Sequence, residues 1–374
     1  MEERKKNITP RVLLIIVAAL FVLHFTQFFF EWIPLKPLSG YFEKAKKSTF
    51  SWKKWFDGTY QAEEEKYLNE NFGFRSFFVR FNHQWRFSLF NEVKTQSVIV
   101  GAENYLYEFN YIKAWYGTDF IGYDTIAQRM YKLQRVQDTL QKLGKHVIVI
   151  LAPGKGSFYP EYIPERYHQD RGVTNIDVYR HYIDSLNINC IDFNQYFVDN
   201  KAISPYPLYP QYGIHWSYYG VCLAADSIVS YLEKINDITM AHLYWDKIDM
   251  RQPEKGDNDI SAAMNLLFAP RTFNMAYPEV KFESRDGKTK PSLLVVSDSF
   301  YWSIFNMGFG RLLENYHFWY YNKEIFPGNR LVSEANLYNE IMEHDNILII
   351  STDANLPQFG WGFIENAYDV FFSN

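Results

Sequence analysis

The sequence predicts an α/β fold, a mostly parallel sheet with helices on both faces, preceded by one N-terminal transmembrane helix. Two observations predict it. Apolar runs of strand length alternate with helical patterns from about residue 98 onward. Near the N-terminus, residues 12–30 (VLLIIVAALFVLHFTQFFF) carry no formal charge and are close to the length that spans a bilayer.

Residues 1–11, with Arg4, Lys5, Lys6 and Arg11, are expected to form a short cytoplasmic tail, and residues 12–30 the anchor. His24, Thr26 and Gln27 interrupt the apolar run only toward its far end. A basic tail before an apolar core also describes a signal peptide. However, bulky residues 28–32 follow where a small-x-small cleavage site would stand, so the reading is an uncleaved anchor. Lys36, Lys44, Lys46 and Lys47 lie beyond it, so counting Lys and Arg gives no decisive asymmetry. Residues 31–95 read as a stalk and helical lead-in. Within them, residues 61–90 have amphipathic spacing (Phe77, Phe78, Phe81, Trp85, Leu89), broken at Gly73 into two helices.

Residues 96–374 read as one domain. SVIVGAENYLYEF is strand, turn and strand; HVIVIL (146–151) is a buried strand entering a Pro/Gly loop; NINCIDF, SLLVVSDSF, YHFWYY and NILIIST follow as strands. YDTIAQRMYKLQRVQDTLQKLG and YYGVCLAADSIVSYLEKI are the clearest helices. The polar, irregular stretch near 236–290 reads as an insertion.

Composition narrows the function. The net charge of −5, without a long basic run, argues against nucleic acid as partner. Aromatics at 19% leave Tyr and Trp that can stack on sugar rings, although core packing is the commoner use of any one of them. Cys190 and Cys222 match no zinc or CxxC spacing and read as two free, buried thiols. The sequence suggests no metal site and no cofactor.

The chemistry centres on VVSDSF. A strand followed by a tight turn into a helix presents Ser299 at the sheet's C-terminal edge, where open α/β sheets hold their sites. Ser and Asp are also ordinary helix caps, so the tripeptide alone decides little. A serine needs a base. His215, in the Gly/Pro/Tyr-rich loop PLYPQYGIHWSYYG just before a helix, is the best placed of the nine histidines.

HWS running into a helix, followed by a strand ending in an S-D-S-F turn, resembles the SGNH-hydrolase-like domain of the AlgJ/AlgX-like alginate O-acetyltransferase family. NFGFR, SVIVGAENYLYE and APGKGSFYPEYIP are similar to further family elements in the same order, over roughly residues 55–355. The resemblance implies an SGNH-hydrolase-like three-layer sandwich, with Ser299 and His215 catalytic in O-acyl, specifically O-acetyl, transfer to polysaccharide hydroxyls. It also implies a membrane-bound O-acyltransferase (MBOAT) partner as acyl donor. The location that follows is the inner membrane, single-pass, with the C-terminal domain in the periplasm or outside the cell. The alternatives are a polysaccharide acetyl esterase and a catalytically dead glycan-binding or scaffold subunit.

Two positions depart from the family pattern. The acid of Asp-x-His-Trp is replaced by Gly213, and the serine turn opens with Ser297 in place of Gly. Three arrangements would accommodate Gly213: a Ser-His dyad held by a backbone carbonyl, another acid reaching in, or a dead site. Asp353, after the last strand, is the first candidate for another acid, because residues at one sheet edge converge. Asp298 is given a structural part in the turn. For the oxyanion, the Ser299 N–H is the natural first donor, with Gly154 or Asn355 as the second. Trp216, Tyr301 and Trp302 are candidates to line a sugar subsite, and Lys155 is expected to contact an acidic sugar or cap its loop.

Overall fold

A computed structural model describes residues 8–40, 45–95 and 97–373. Arg4, Lys5, Lys6 and Lys44 of the charge argument lie outside the described residues. The chain divides into two compact units, residues 1–95 with 261–270, and residues 96–260 with 271–374.

In the first unit, helix α1 (Ile8–Phe30) is the one helix among the described residues long and apolar enough to cross a membrane, with a mean hydropathy of 2.5 over its apolar window. Its aliphatic side chains stand exposed. Helices α2 (Thr59–Asn71) and α3 (Arg75–Phe90) are separated at the expected break, where Phe74 takes a left-handed φ of 63°. Gly73 is needed there because a Cβ would overlap the His24 carbonyl oxygen. Residues 261–270, expected to belong to the insertion of the larger domain, pack here: His83 Nδ1 meets the Met264 carbonyl at 2.7 Å and Arg80 donates to Leu266 O at 3.4 Å.

The second unit is built on a seven-stranded sheet. In chain order its strands are β1 (His146–Ala152), β2 (Cys190–Asp192), β3 (Leu293–Ser297), β4 (Tyr316–Tyr320), β5 (Glu324–Phe326), β6 (Arg330–Leu331) and β7 (Asn346–Thr352). The spatial order is β6-β5-β4-β3-β7-β1-β2. The five strands from β4 to β2 run parallel; β5 and β6 add an antiparallel edge. The central strands β1, β3 and β7 are almost continuously buried, which is why they read as unbroken Val/Ile/Leu runs.

Successive side chains point to opposite faces. Val147, Val149, Leu294, Val296, Ile347 and Ile349 face a core closed by α4 (Tyr123–Lys142), α5 (Asn175–Ser185) and a C-terminal helix, Phe363–Phe372. Ile148, Ile150, Val295, Leu348 and Ile350 are buried on the other face, where α6 (Phe193–Asn200) packs on β1. Helix α7 (Tyr218–Asn236) starts where HWS predicts, because the Ser217 hydroxyl accepts the Gly220 N–H. It packs on α8 (Tyr301–Asn306). Both cysteines are free, as expected; Cys222 on α7 is buried, whereas Cys190 on β2 is only partly so. The stretch 236–290 is not featureless: Leu243–Tyr244 pairs with Lys281–Phe282 and Ile248–Arg251 with Met275–Pro278 as short antiparallel ribbons.

Candidate active site

Strand β3 ends at Ser297, residues 298–300 turn, and α8 begins at Tyr301, leaving Ser299 half-buried at the C-terminal edge of the sheet. Asp298 fixes this turn. One carboxylate oxygen accepts the Phe300 N–H at 3.1 Å; the other accepts the Thr352 N–H at 3.0 Å, the Thr352 hydroxyl at 3.3 Å and the Asn355 amide at 2.8 Å. Burial pushes its pKa up against the pull of these donors. These bonds tie the turn to residues 352 and 355. Asn355, expected as an oxyanion donor, gives a side-chain amide hydrogen to Asp298.

The loop before α7 brings His215 to the serine, with Nε2 at 2.9 Å from Ser299 Oγ. On the other side of the ring, Nδ1 lies 2.5 Å from Asp259 Oδ2. The acid at the histidine is therefore Asp259, and neither a backbone carbonyl nor Asp353 takes that place. Its second oxygen accepts the Ile214 N–H at 2.9 Å, so one carboxylate orients both the ring and its backbone. Burial pulls the imidazole pKa down, but the adjacent Asp259 charge and hydrogen bond outweigh it, and the net shift is upward.

Gly213 explains how this acid arrives. A Cβ at Gly213 would overlap the Gly256 carbonyl oxygen and press on Asp257, so the segment carrying Asp259 runs through the space a side chain would fill. The missing side chain is the clearance for the replacement. Asp259 escaped sequence reasoning because the polar stretch holds Asp237, Asp246, Asp249, Glu254 and Asp257 as well, and nothing in their order singles it out. A glycine where the resembling family carries an acid was the available signal.

Other expectations are corrected. Asp353 accepts a short hydrogen bond from the Ser157 hydroxyl and faces the Asn194 amide at 3.5 Å; burial raises its pKa to about 6. Gly154 sits against the Asp353 carboxylate and leaves it room. Lys155 is fully buried and donates to the carbonyls of Gln211 at 2.8 Å and Gly213 at 2.5 Å, so it holds the histidine loop and is not free for an acidic sugar. Burial lowers its pKa to about 7, opposed by the charges of Asp259 and Glu108. Even a neutral amine has the two N–H groups these carbonyls need. Tyr301 is buried with its hydroxyl on Tyr316, 3.0 Å away. Trp216 is almost wholly buried against Phe193, Phe197 and Phe300, its indole N–H 3.3 Å from the Phe300 carbonyl.

Of the expected aromatics, Trp302 most clearly keeps a face on the site. It lines a cavity of about 380 Å³ with His215, Asp259, Ser299, Tyr218 and Tyr277. Tyr218 and Tyr277 stack with ring centroids 6.0 Å apart. Beside them Asp257 has one buried oxygen without a partner, and burial raises its pKa to about 7. Tyr321, in the turn after β4, was not anticipated. Its N–H donates to Ser297 O at 2.8 Å and its backbone is left-handed at φ 49°. Burial pushes the pKa of its phenol up.

Residues 112–265 match the family model described as the SGNH hydrolase-like domain of acetyltransferase AlgX. No curated protein matches the sequence. Among solved structures, the O-acetyltransferase domain of Pseudomonas putida AlgJ is similar at 13% identity and TM-score 0.49, covering 73% of this chain and 99% of that one. Pseudomonas aeruginosa AlgX is similar at 11% identity and TM-score 0.44, covering 72% of this chain and 67% of its own. Bacillus cereus PatB1 follows at 15% identity and TM-score 0.43, covering 65% and 93%.

Proposed function

From the premise that the chain carries an SGNH hydrolase-like domain of the AlgJ/AlgX-like family, we propose that it is an exported, membrane-anchored O-acetyltransferase acting on polysaccharide hydroxyls. One observation supports the chemistry above all others: the hydrogen-bonded chain Asp259, His215, Ser299, at 2.5 and 2.9 Å, opening on a cavity lined by aromatic rings.

In this reading Asp259 holds the imidazole with its proton on Nδ1, leaving Nε2 free to take the proton of Ser299. Ser299 Oγ attacks the acyl carbonyl of a donor, and the leaving group takes the proton from Nε2. His215 then deprotonates a sugar hydroxyl, which attacks the acyl-serine and carries the acyl group away, while Nε2 returns the proton to the released Ser299 Oγ. The developing oxyanion needs donors in place beforehand. The Ser299 N–H supplies one, and the Tyr321 phenol, kept protonated by burial and carried on the turn that bonds to Ser297, takes the part expected of Gly154 or Asn355. Trp302, Tyr218 and Tyr277 offer faces for the acceptor sugar.

Helix α1 fits a single-pass anchor in the inner membrane, with the larger unit in the periplasm. That location suits a membrane-bound O-acyltransferase partner that delivers acetyl groups across the bilayer. An esterase would share the acyl-enzyme and differ only in the acceptor.

The test is labelling of the detergent-solubilised full chain by a fluorophosphonate, followed by transfer from an activated acetyl ester to a glycan, read by mass. Labelling lost in Ser299→Ala and His215→Ala, with acetylated glycan formed by the parent, is the expected result. Free acetate as the sole product would replace transferase by esterase. An unlabelled, folded parent would leave a glycan-binding subunit.

A further inference from the structure

We propose that His317, Glu340 and His344 form a binding site for a divalent cation of the zinc type, at the end of the sheet opposite Ser299. His317 lies near the start of β4, paired with Leu294 of β3. Glu340 lies on the short helix α9 (Leu337–Glu343), and His344 caps that helix just before β7. The proposal is independent of the acyl chemistry.

Two imidazoles and a carboxylate are a donor set that zinc accepts. One donor atom from each residue lies within 4.8 Å of the others. A tetrahedral ion with bonds of about 2.0–2.2 Å holds its ligand atoms roughly 3.3 Å apart. Closing on an ion takes side-chain adjustments of about 1–1.5 Å, including the parting of His317 Nδ1 and Glu340 Oε2, now hydrogen-bonded at 2.7 Å.

The second, independent observation is the state of His344. Its Nδ1 lies 2.6 Å from the Glu340 backbone carbonyl, which can only accept, so Nδ1 carries the proton. Nε2 is left as a bare lone pair, on a side chain with no exposed surface and with no hydrogen-bond partner. A carbonyl fixing the far nitrogen is how proteins orient a ligating imidazole. Glu340 is oriented likewise, its other oxygen 3.0 Å from the Arg330 guanidinium. His242 is the contrast. Its nitrogens meet Asp226 at 3.0 Å and Glu233 at 2.9 Å, so both are spoken for and none is left to bind an ion.

Binding would take the place of the hydrogen bond between His317 and Glu340, and no oxidation is involved. The ion would tie the start of β4 to the segment entering β7, two strands that flank β3.

The experiment is titration of untagged, chelator-stripped full chain in detergent with Zn2+ by calorimetry, and with Co2+ by visible absorption. Expected are one ion per chain, tetrahedral Co2+ bands that Zn2+ displaces, and a raised Tm. His344→Ala and the milder His317→Gln should each weaken binding by about tenfold or more, by comparison with the loss on removing mere supporting groups, while Ser299→Ala binds as the parent does. If His344→Ala does not fold, His317→Gln decides. A folded parent that takes up no ion, or uptake unchanged in His317→Gln, overturns the proposal.

Discussion

Asp259 makes contact with His215 at 2.5 Å through one oxygen and with the Ile214 N–H through the other. Asp259→Asn keeps that geometry and removes the charge. An amide in the corresponding place of a serine triad costs on the order of ten-thousandfold in kcat, and a loss of that order is expected in steady-state acetyl transfer. The pH profile gives a second readout. His215 must be neutral to act as base, so activity rises with pH through its pKa, which the Asp259 charge holds above the ordinary value. In Asp259→Asn that charge is gone, and the acid limb of kcat/KM should move to lower pH. An unmoved limb would mean that the carboxylate does not set the imidazole's charge. Tyr321→Phe should lower kcat by roughly a hundredfold or more if its hydroxyl serves the oxyanion, with labelling of Ser299 retained.

At the scale of elements, the loop through Gly256 and Asp257 and the Gly213 backbone it crosses act as a pair. Gly213→Asp writes the family's Asp-x-His-Trp into the chain, yet its Cβ would overlap the Gly256 carbonyl. It should therefore lower activity and cost about 1–3 kcal/mol of stability, the usual penalty for overpacking, measurable as a fall in Tm. The same elements divide what sequence could and could not reveal. β1, β3 and β7 were legible because both their faces are buried, which leaves long apolar runs. Ser299 and His215 were legible because each stands beside a helix start with a strong local pattern, the S-D-S-F turn and the Ser217 cap. Asp259 and Tyr321 were not: Asp259 reaches the site by tertiary approach from an irregular polar stretch, and Tyr321 from the turn just past β4, in a run that reads only as strand. Trp216 and Tyr301 were misjudged for the opposite reason. An aromatic next to a catalytic residue in sequence points away from it as readily as toward it, and both of these point into the core.

For the whole molecule, the proposed anchoring by α1 has a consequence that fractionation reads directly. Twenty-odd apolar residues are enough to hold a chain of this size in a bilayer through alkaline washing. Membranes from cells expressing the full chain should keep it after carbonate extraction, while a chain lacking residues 1–30 should appear in the soluble fraction. A full chain released by carbonate, or shortened at its N-terminus by a processing peptidase, would remove the anchor from the reading.

The clearance at Gly213 also bears on ancestry. With the loop in place, an aspartate at 213 has nowhere to go; with an aspartate at 213, the loop has no passage. Neither arrangement converts to the other by one substitution, because each intermediate loses either its carboxylate or its packing. Chains alike enough to align with this one are therefore expected to carry glycine at 213 and an acid at 259 together, or neither.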